Sequence, residues 1–507
     1  MWSSRALAAC LIVGCSLPVA LYVLRTDAGI EYDDAVYLTR GLYHAAQVSE
    51  RGNLLLPRLA WSLGFEAPKP PLFHAVIAVA VLALGRGHLG AVLVVATVGP
   101  LLALALAIYA LARETASPRA GWLALATYLA MPAALVLGTR LLTETTLAAT
   151  VVGGTFFFLR RARGGGFRDE LGAGICCGLS LLAKLLGPLF LAPVGALAVL
   201  ECWRREGPRR AGRVLAVVAG VTLLLAGPWY LRNARAALDF ARYAHTHLPN
   251  LYAGPARMRP IDLVRGSVGW VVLMLLFVLL FLRLRETEGG GQRLLRRMIL
   301  GSAGLSALVI GAQPMFDPRY WLPAAALLAT WAGIALDAAW RRLAGRPLRW
   351  LIPVASAALL VVSVYSLAAS RRPQTPWTAF RAVELLAMTP PGQPRLCTLG
   401  SNPDWNIEKL RLAVELAAVR PRLKVDDLLV DGKARDLPSR LAGCDVVIAL
   451  QPDRVPSVRN QQAVNADLAA GWAELRARRD AFEPAPTVAA ALGSRALPQV
   501  FVRRAGA

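Results

Sequence analysis

Glu31-Tyr32-Asp33-Asp34 places three carboxylates straight after the first long apolar run, and Pro68-Lys69-Pro70-Pro71-Leu72 places a lysine just before the next. Acids and cations beside a lipid bilayer are costly to desolvate, so groups of them read first as working residues. A carboxylate there can take a proton, and a lysine can neutralise an anion at the level of lipid headgroups. Lys69 stands out by type: the chain has 51 Arg and 5 Lys, and only Lys69 and Lys184 fall before residue 371. Further charges recur where apolar runs end: Arg140-Leu141-Leu142-Thr143-Glu144, Ala183-Lys184-Leu185, Trp229-Tyr230-Leu231-Arg232-Asn233 and Asp317-Pro318-Arg319-Tyr320-Trp321. Taken singly, each reads equally well as a helix cap, a snorkelling side chain or part of an interfacial aromatic belt, and for Trp229, Tyr230 and Trp321 the belt suffices.

The elements that must hold these groups are membrane spans. The 507 residues are 56% hydrophobic with a mean hydropathy of +0.49, too apolar for a soluble domain of this size. Runs long enough to cross, roughly 18 to 25 residues, lie near 6–24, 89–112, 119–138, 143–160, 169–186, 187–203, 212–231, 263–283, 297–313, 320–340 and 350–369, with a shorter one at 71–85. The expected number of crossings is odd and about 11 to 13. The net charge of +24 is no nucleic-acid footprint, because the basic residues fall in short clusters between apolar runs. Those clusters, at Arg160–Arg168, Arg204–Arg213, Arg283–Arg297 and Arg341–Arg349, are predicted to be cytoplasmic. Alternation then puts the charged loops at 140–144, 184–188, 231–262 and 313–319 on the other face, with the acidic cluster. The stretch 71–112 breaks this alternation if both of its apolar runs cross; either 71–85 does not cross or a further span exists.

After Arg371-Arg372-Pro373 the pattern changes to short β-rich segments, Arg395 to Leu399, Lys424 to Val430, Cys444 to Leu450 and Gln499 to Val502. Helical patterns at about 404–420 and 460–482 separate them, which predicts a small α/β domain at 371–507. Cys397 and Cys444 sit at strand edges and can pair or stay free; the other five cysteines lie in apolar helices.

In order along the chain, Asp33-Asp34, Lys69-Pro70-Pro71-Leu72, Thr143-Glu144, Pro228-Trp229-Tyr230-Leu231-Arg232-Asn233 and Pro318-Arg319-Tyr320-Trp321-Leu322-Pro323 resemble the bacterial GT-C integral-membrane glycosyltransferases. That group includes the dolichyl-phosphate-mannose–protein mannosyltransferases and the aminoarabinose transferase of lipid A, and the resemblance covers roughly residues 1–370. It implies a polytopic GT-C-like helical domain with its first external loop at about 25–72, and a small extracytoplasmic α/β domain behind it. It also implies a bacterial cytoplasmic membrane location with an extracytoplasmic active site. The activity implied is transfer of a sugar from a polyprenyl-phosphate donor to a lipid, protein or polysaccharide acceptor. Asp33 and Asp34 become the catalytic pair, with Asp33 the favoured base. Lys69, Arg319, Arg232 and Lys184 become the cations for the donor phosphate, with Glu31, Arg140, Glu144 and Tyr320 in support.

The chemistry agrees. Polyprenyl phosphate is a good leaving group, so one carboxylate to take the acceptor's proton suffices, whereas glycoside hydrolysis needs two. Protein cations can stabilise the departing phosphate, so no cofactor is required and a tight divalent metal is the disfavoured alternative. His245-Thr246-His247 is the one pair with ligand-like spacing. A transporter or flippase of lipid-linked or anionic substrates is the competing reading, but it predicts internal repeats with helices broken near the midplane, and no convincing repeat is visible. A polytopic scaffold presenting the tail would leave the clustered charges idle.

Overall fold

Apolar runs with charged ends must cross a bilayer as helices, because no water is available there for the backbone. The computed structural model describes residues 14, 16–24, 32–49, 55–64, 68–246, 268–269, 290–312, 317–343, 345–350, 354, 358, 361 and 365, and in the tail 395–399, 411–412, 424–428, 437–449, 462–478, 480–484 and 499–504. Residues 16–24 are helical, and the polar stretch behind them is itself helical: α1 (Tyr32–Ser49) and α2 (Leu55–Leu63) occupy most of what the sequence suggests is a loop. Then follow α3 (Leu72–Leu84), α4 (Leu89–Thr115), α5 (Pro118–Leu129), α6 (Pro132–Gly138), α7 (Thr143–Ala162), α8 (Phe167–Ala183), α9 (Gly187–Glu206), α10 (Pro208–Thr246), α11 (Gly290–Gly311) and α12 (Leu322–Arg342).

Two departures from the sequence reading have local causes. The run 119–138 is not one span: it breaks at Ala130–Met131, where Pro132 lacks the N–H and the preceding backbone turns extended. Trp229 and Trp321 are not belt residues facing lipid; both are buried, and the Trp321 indole donates to Ser306 Oγ at 2.9 Å.

The bundle has two chemically distinct ends. At one, the arginine clusters meet. Arg161 lies buried between Glu170 (2.9 Å) and Glu206 (2.6 and 2.7 Å), joining α7, α8 and α9. Asp337, fully buried on α12, takes Arg119 and the hydroxyl of Ser117, which also caps α5. Arg163 bonds the carbonyl of Glu114 at the end of α4 and lies against Gly291 at the start of α11. Charges buried this thoroughly stay ionised only when paired, which is why acids stand among so many arginines. The expected grouping of the basic clusters on one face holds wherever they are described.

The parity problem at 71–112 resolves as a short, non-crossing helix. The end of α4 lies at the arginine end, so its start, about 40 Å away by helix rise, lies at the other. The first turn of α3 is also at that other end, against Tyr37, so both ends of α3 are on one side. Its 13 residues would span only about 20 Å. It packs instead on α1, where Gly41 allows the approach: a Cβ there would stand 2.3 Å from the Ile77 side chain. Gly333 does the same for the deeper pair, since a Cβ would stand 2.3 Å from the backbone of Ala124 on α5. Helix α12 is accordingly the buried centre, whereas α10 is more exposed, with Leu224 at 76% and Leu231 at 88%. The predicted span 263–283 and almost all of 350–369 lie outside the described residues, as does most of the predicted helix 404–420, so the count of crossings does too.

The tail holds a five-stranded sheet in the order β2-β1-β3-β5-β4, with β1 (Arg395–Leu399), β2 (Lys424–Asp427), β3 (Val446–Ala449), β4 (Phe482–Pro484) and β5 (Gln499–Arg503). β2, β1 and β3 are parallel, and β5 runs antiparallel to both β3 and β4. β4 lies where the sequence suggests the end of a helix; α14 (Gln462–Ala477) stops before it, and α13 (Leu437–Ala442) is a short helix the pattern did not signal. Leu441, Val447, Leu468, Trp472 and Phe501 form part of its core. Cys397 and Cys444 are disulfide-bonded, with Cα atoms 5.9 Å apart across β1 and the approach to β3. Closing a separation of 47 residues restricts the unfolded tail by about 4 kcal/mol in the chain-entropy account. Cys397→Ser, or reduction, should therefore raise the rate of proteolytic nicking in the tail at least several-fold. In untreated protein neither thiol should react with maleimide; alkylation of both would exclude the bridge.

Candidate active site

The opposite end of the bundle gathers charges from five separate parts of the sequence. α7 begins at Thr143 with no side-chain cap, and its second residue, Glu144, points into the protein and is 2% exposed. An acid in the first helical turn suits the N-terminal dipole. Glu144 Oε1 accepts from Lys184 Nζ at 2.5 Å and lies 3.6 Å from Arg319 Nε. Lys184 is delivered by the end of α8, whose last turn closes on it in extended conformation before α9 starts. Arg319 is delivered by the 3₁₀ turn Pro318–Trp321, which Asp317 caps by accepting from the Arg319 N–H at 2.9 Å. Asp317 also pairs with the Arg319 guanidinium at 3.0 Å. Both cations rest on the ring of Tyr320, Lys184 at 4.0 Å and Arg319 at 5.3 Å from its centroid.

Helix α1 supplies the neighbouring wall. Asp34, in its first turn and 1% exposed, accepts from Arg140 Nε at 2.8 Å. Arg140 sits between α6 and α7, four residues before Glu144, so this bond ties α1 to the start of α7. One turn on from Asp34, Tyr37 lies under Lys69, 4.9 Å from its ring centroid to Nζ. Phe73 and His74 of α3 pack on the same ring at 5.3 and 5.2 Å. Tyr37 thereby ties α1 to α3 and to Lys69. Its signal in the sequence was its position three residues after Asp34, on the same helical face.

Seven of the ten residues singled out by the sequence are thus brought to one end: Asp34, Lys69, Arg140, Glu144, Lys184, Arg319 and Tyr320. Arg232 is exposed on α10, while its neighbour Asn233 turns inward and donates to the carbonyl of Gly64 at 2.9 Å. The backbone of Asp33 is in the first turn of α1, but its side chain, like all of Glu31, lies outside the described part. Among the described residues no three His, Cys, Asp or Glu side chains converge as a metal site; His247 and the side chain of His245 fall outside them.

What this end can do chemically is hold an anion against two or three cations, beside acids close enough to handle a proton. A family model described as dolichyl-phosphate-mannose-protein mannosyltransferase matches residues 86–244. No curated protein sequence matches the chain. Among solved structures, ArnT from Cupriavidus metallidurans bound to undecaprenyl phosphate is 15% identical, with a TM-score of 0.66 over 98% of each chain. The same protein in its apo state is 18% identical, with a TM-score of 0.57 over 84% of this chain and 90% of that one. The Archaeoglobus fulgidus oligosaccharyltransferase in the apo form is 13% identical, with a TM-score of 0.54 over 87% of this chain and 69% of that one. The chain has the GT-C fold: a multi-pass helical membrane domain followed by a small sheet domain.

Breaking one side of a buried ion pair strands the other charge, at a cost of roughly 3–5 kcal/mol. Asp34→Asn and Arg140→Gln should each lower the stability of the detergent-solubilised protein. In a double-mutant cycle the two should be non-additive, because the second change removes a charge that has already lost this contact. Additive losses would show that the 2.8 Å contact contributes no coupling.

Proposed function

We propose that this protein is a glycosyltransferase that moves a sugar from a polyprenyl-phosphate-linked donor to a lipid, protein or polysaccharide acceptor. The carrying observation is the convergence of Lys184 and Arg319 on one buried carboxylate, beside Lys69 and the Asp34–Arg140 pair, at one end of a GT-C bundle. What supports the donor class is the match over 98% of the chain to a protein bound to undecaprenyl phosphate.

The acceptor oxygen attacks the anomeric carbon from the side opposite the phosphate. Its proton goes to Asp33, the C–O bond to phosphorus breaks, and the phosphate leaves with the bonding pair. Configuration inverts in one displacement. Lys184, Arg319 and Lys69 stabilise the charge that builds on the leaving phosphate, which is where fixed cations act most strongly. Asp34, engaged by Arg140, sets the start of α1 and hence the neighbouring base. Protein cations carry the phosphate, so the reaction proceeds without a tightly bound metal. The site faces the outside of the bacterial cytoplasmic membrane. Two observations support that orientation: the arginine clusters gather at the opposite end, and the tail carries a disulfide, which persists in oxidising compartments.

Transfer of labelled sugar from polyprenyl phosphate by purified variants tests the mechanism. Asp33→Asn should abolish transfer while the protein still folds and binds donor; Asp34→Asn should lose most but not all activity; Lys69→Ala should raise KM and lower kcat together. An active Asp33→Asn with a dead Asp34→Asn would reverse the two roles, and two active variants would refute the mechanism. Activity should survive EDTA; loss restored by Mg²⁺ or Mn²⁺ would place a metal in the reaction. Mass spectrometry of envelope glycoconjugates from a deletion strain, looking for one missing sugar, would identify donor and acceptor.

A further inference from the structure

Glu144 takes no part in the displacement, yet it occupies the centre of the cation cluster. Its Oε1 receives Lys184 and faces Arg319, while Oε2 is buried and, among the described residues, accepts no hydrogen bond. Asp317 adds a second carboxylate to Arg319. Among the described residues Lys184 and Arg319 are matched by two carboxylates, which leaves this pair with little net charge, Lys69 standing outside the count. A site built only to hold phosphate as tightly as it can would gain from omitting Glu144. Its presence weakens the local positive potential by one full charge in a poorly solvated pocket, where Coulomb terms are large.

The charges of donor and product differ. A polyprenyl phosphosugar is a phosphodiester with one negative charge. The polyprenyl phosphate left after transfer is a monoester whose second proton dissociates near pH 6, so at neutral pH it carries close to two. The cost of taking an ion out of water grows with the square of its charge, while attraction to fixed cations grows only in proportion. A cation pair balanced in this way can repay the first cost for a monoanion and fall short for a dianion. We propose that Glu144 determines this preference: it lets the site hold the singly charged donor and expel the doubly charged product, acting through Lys184 and Arg319. The inference rests on the donor reading given above.

Binding of undecaprenyl phosphate and of its singly charged methyl diester to the purified protein, followed without turnover, separates the possibilities. Wild type at pH 8 should bind the methyl diester more tightly, and its affinity for the monoester should rise as pH falls through about 6, where the monoester becomes a monoanion. Glu144→Gln, which keeps an oxygen for Lys184 but removes the charge, should tighten monoester binding by about tenfold or more and diester binding by less. The variant's kcat and KM should fall together, with stronger inhibition by product. A wild-type preference for the monoester at pH 8 overturns the proposal without any variant. So does an equal effect of Glu144→Gln on both lipids, or weaker binding of both, which would make Glu144 a structural anchor. Failure of wild type to bind either lipid would instead remove the donor reading, and this inference with it.

Discussion

The carboxylate of Glu144 is the point on which this end of the molecule depends. Lys184 and Arg319 come from segments 40 and 175 residues away in sequence, and each alone would be a cation held at a membrane edge with no fixed orientation. Paired with one buried acid and laid on one aromatic ring, they are held together. The constraint is dielectric. A charge that cannot reach water must find a partner, and the partner it finds sets which helix ends lie together.

The same constraint builds the opposite end with different consequences. Arg161, Glu170 and Glu206 are locked in a pattern that leaves Arg161 only 3% exposed, and Asp337 is closed off by Arg119 and Ser117. Those groups pair with one another and tie neighbouring helices. At the site end the cations keep about a fifth of their surface open, Lys184 23% and Arg319 20%.

Around this pair the non-crossing helices act as a collar. α1 and α3 approach closely because position 41 is glycine, and their contact places Tyr37 under Lys69. The Asp34–Arg140 bond fastens the collar to the start of the helix that bears Glu144. The geometry of the site is thus shared between deep spans, which are rigid by packing, and interfacial helices, which are held by a few polar contacts.

Much of this was legible in the residues themselves. Hydropathy and the arginine clusters located most spans and sorted the charges to two ends, because desolvation and charge bias act on any sequence irrespective of its folded form. The rarity of lysine singled out Lys69 and Lys184, and strand–helix alternation located the tail. Other features needed tertiary structure. Whether 71–85 crosses could be settled only by seeing which end its neighbours reach. Trp229 and Trp321 carry the composition of a belt but turn inward, because helix orientation is set by packing partners that lie far along the chain. Pairing of Glu144 with Lys184 and Arg319, of Asp34 with Arg140, and of Cys397 with Cys444 depends on distances between segments remote in sequence. Residue types dictate which charges must be paired; only the packing of helices decides with which partner, and so where a functional site can stand.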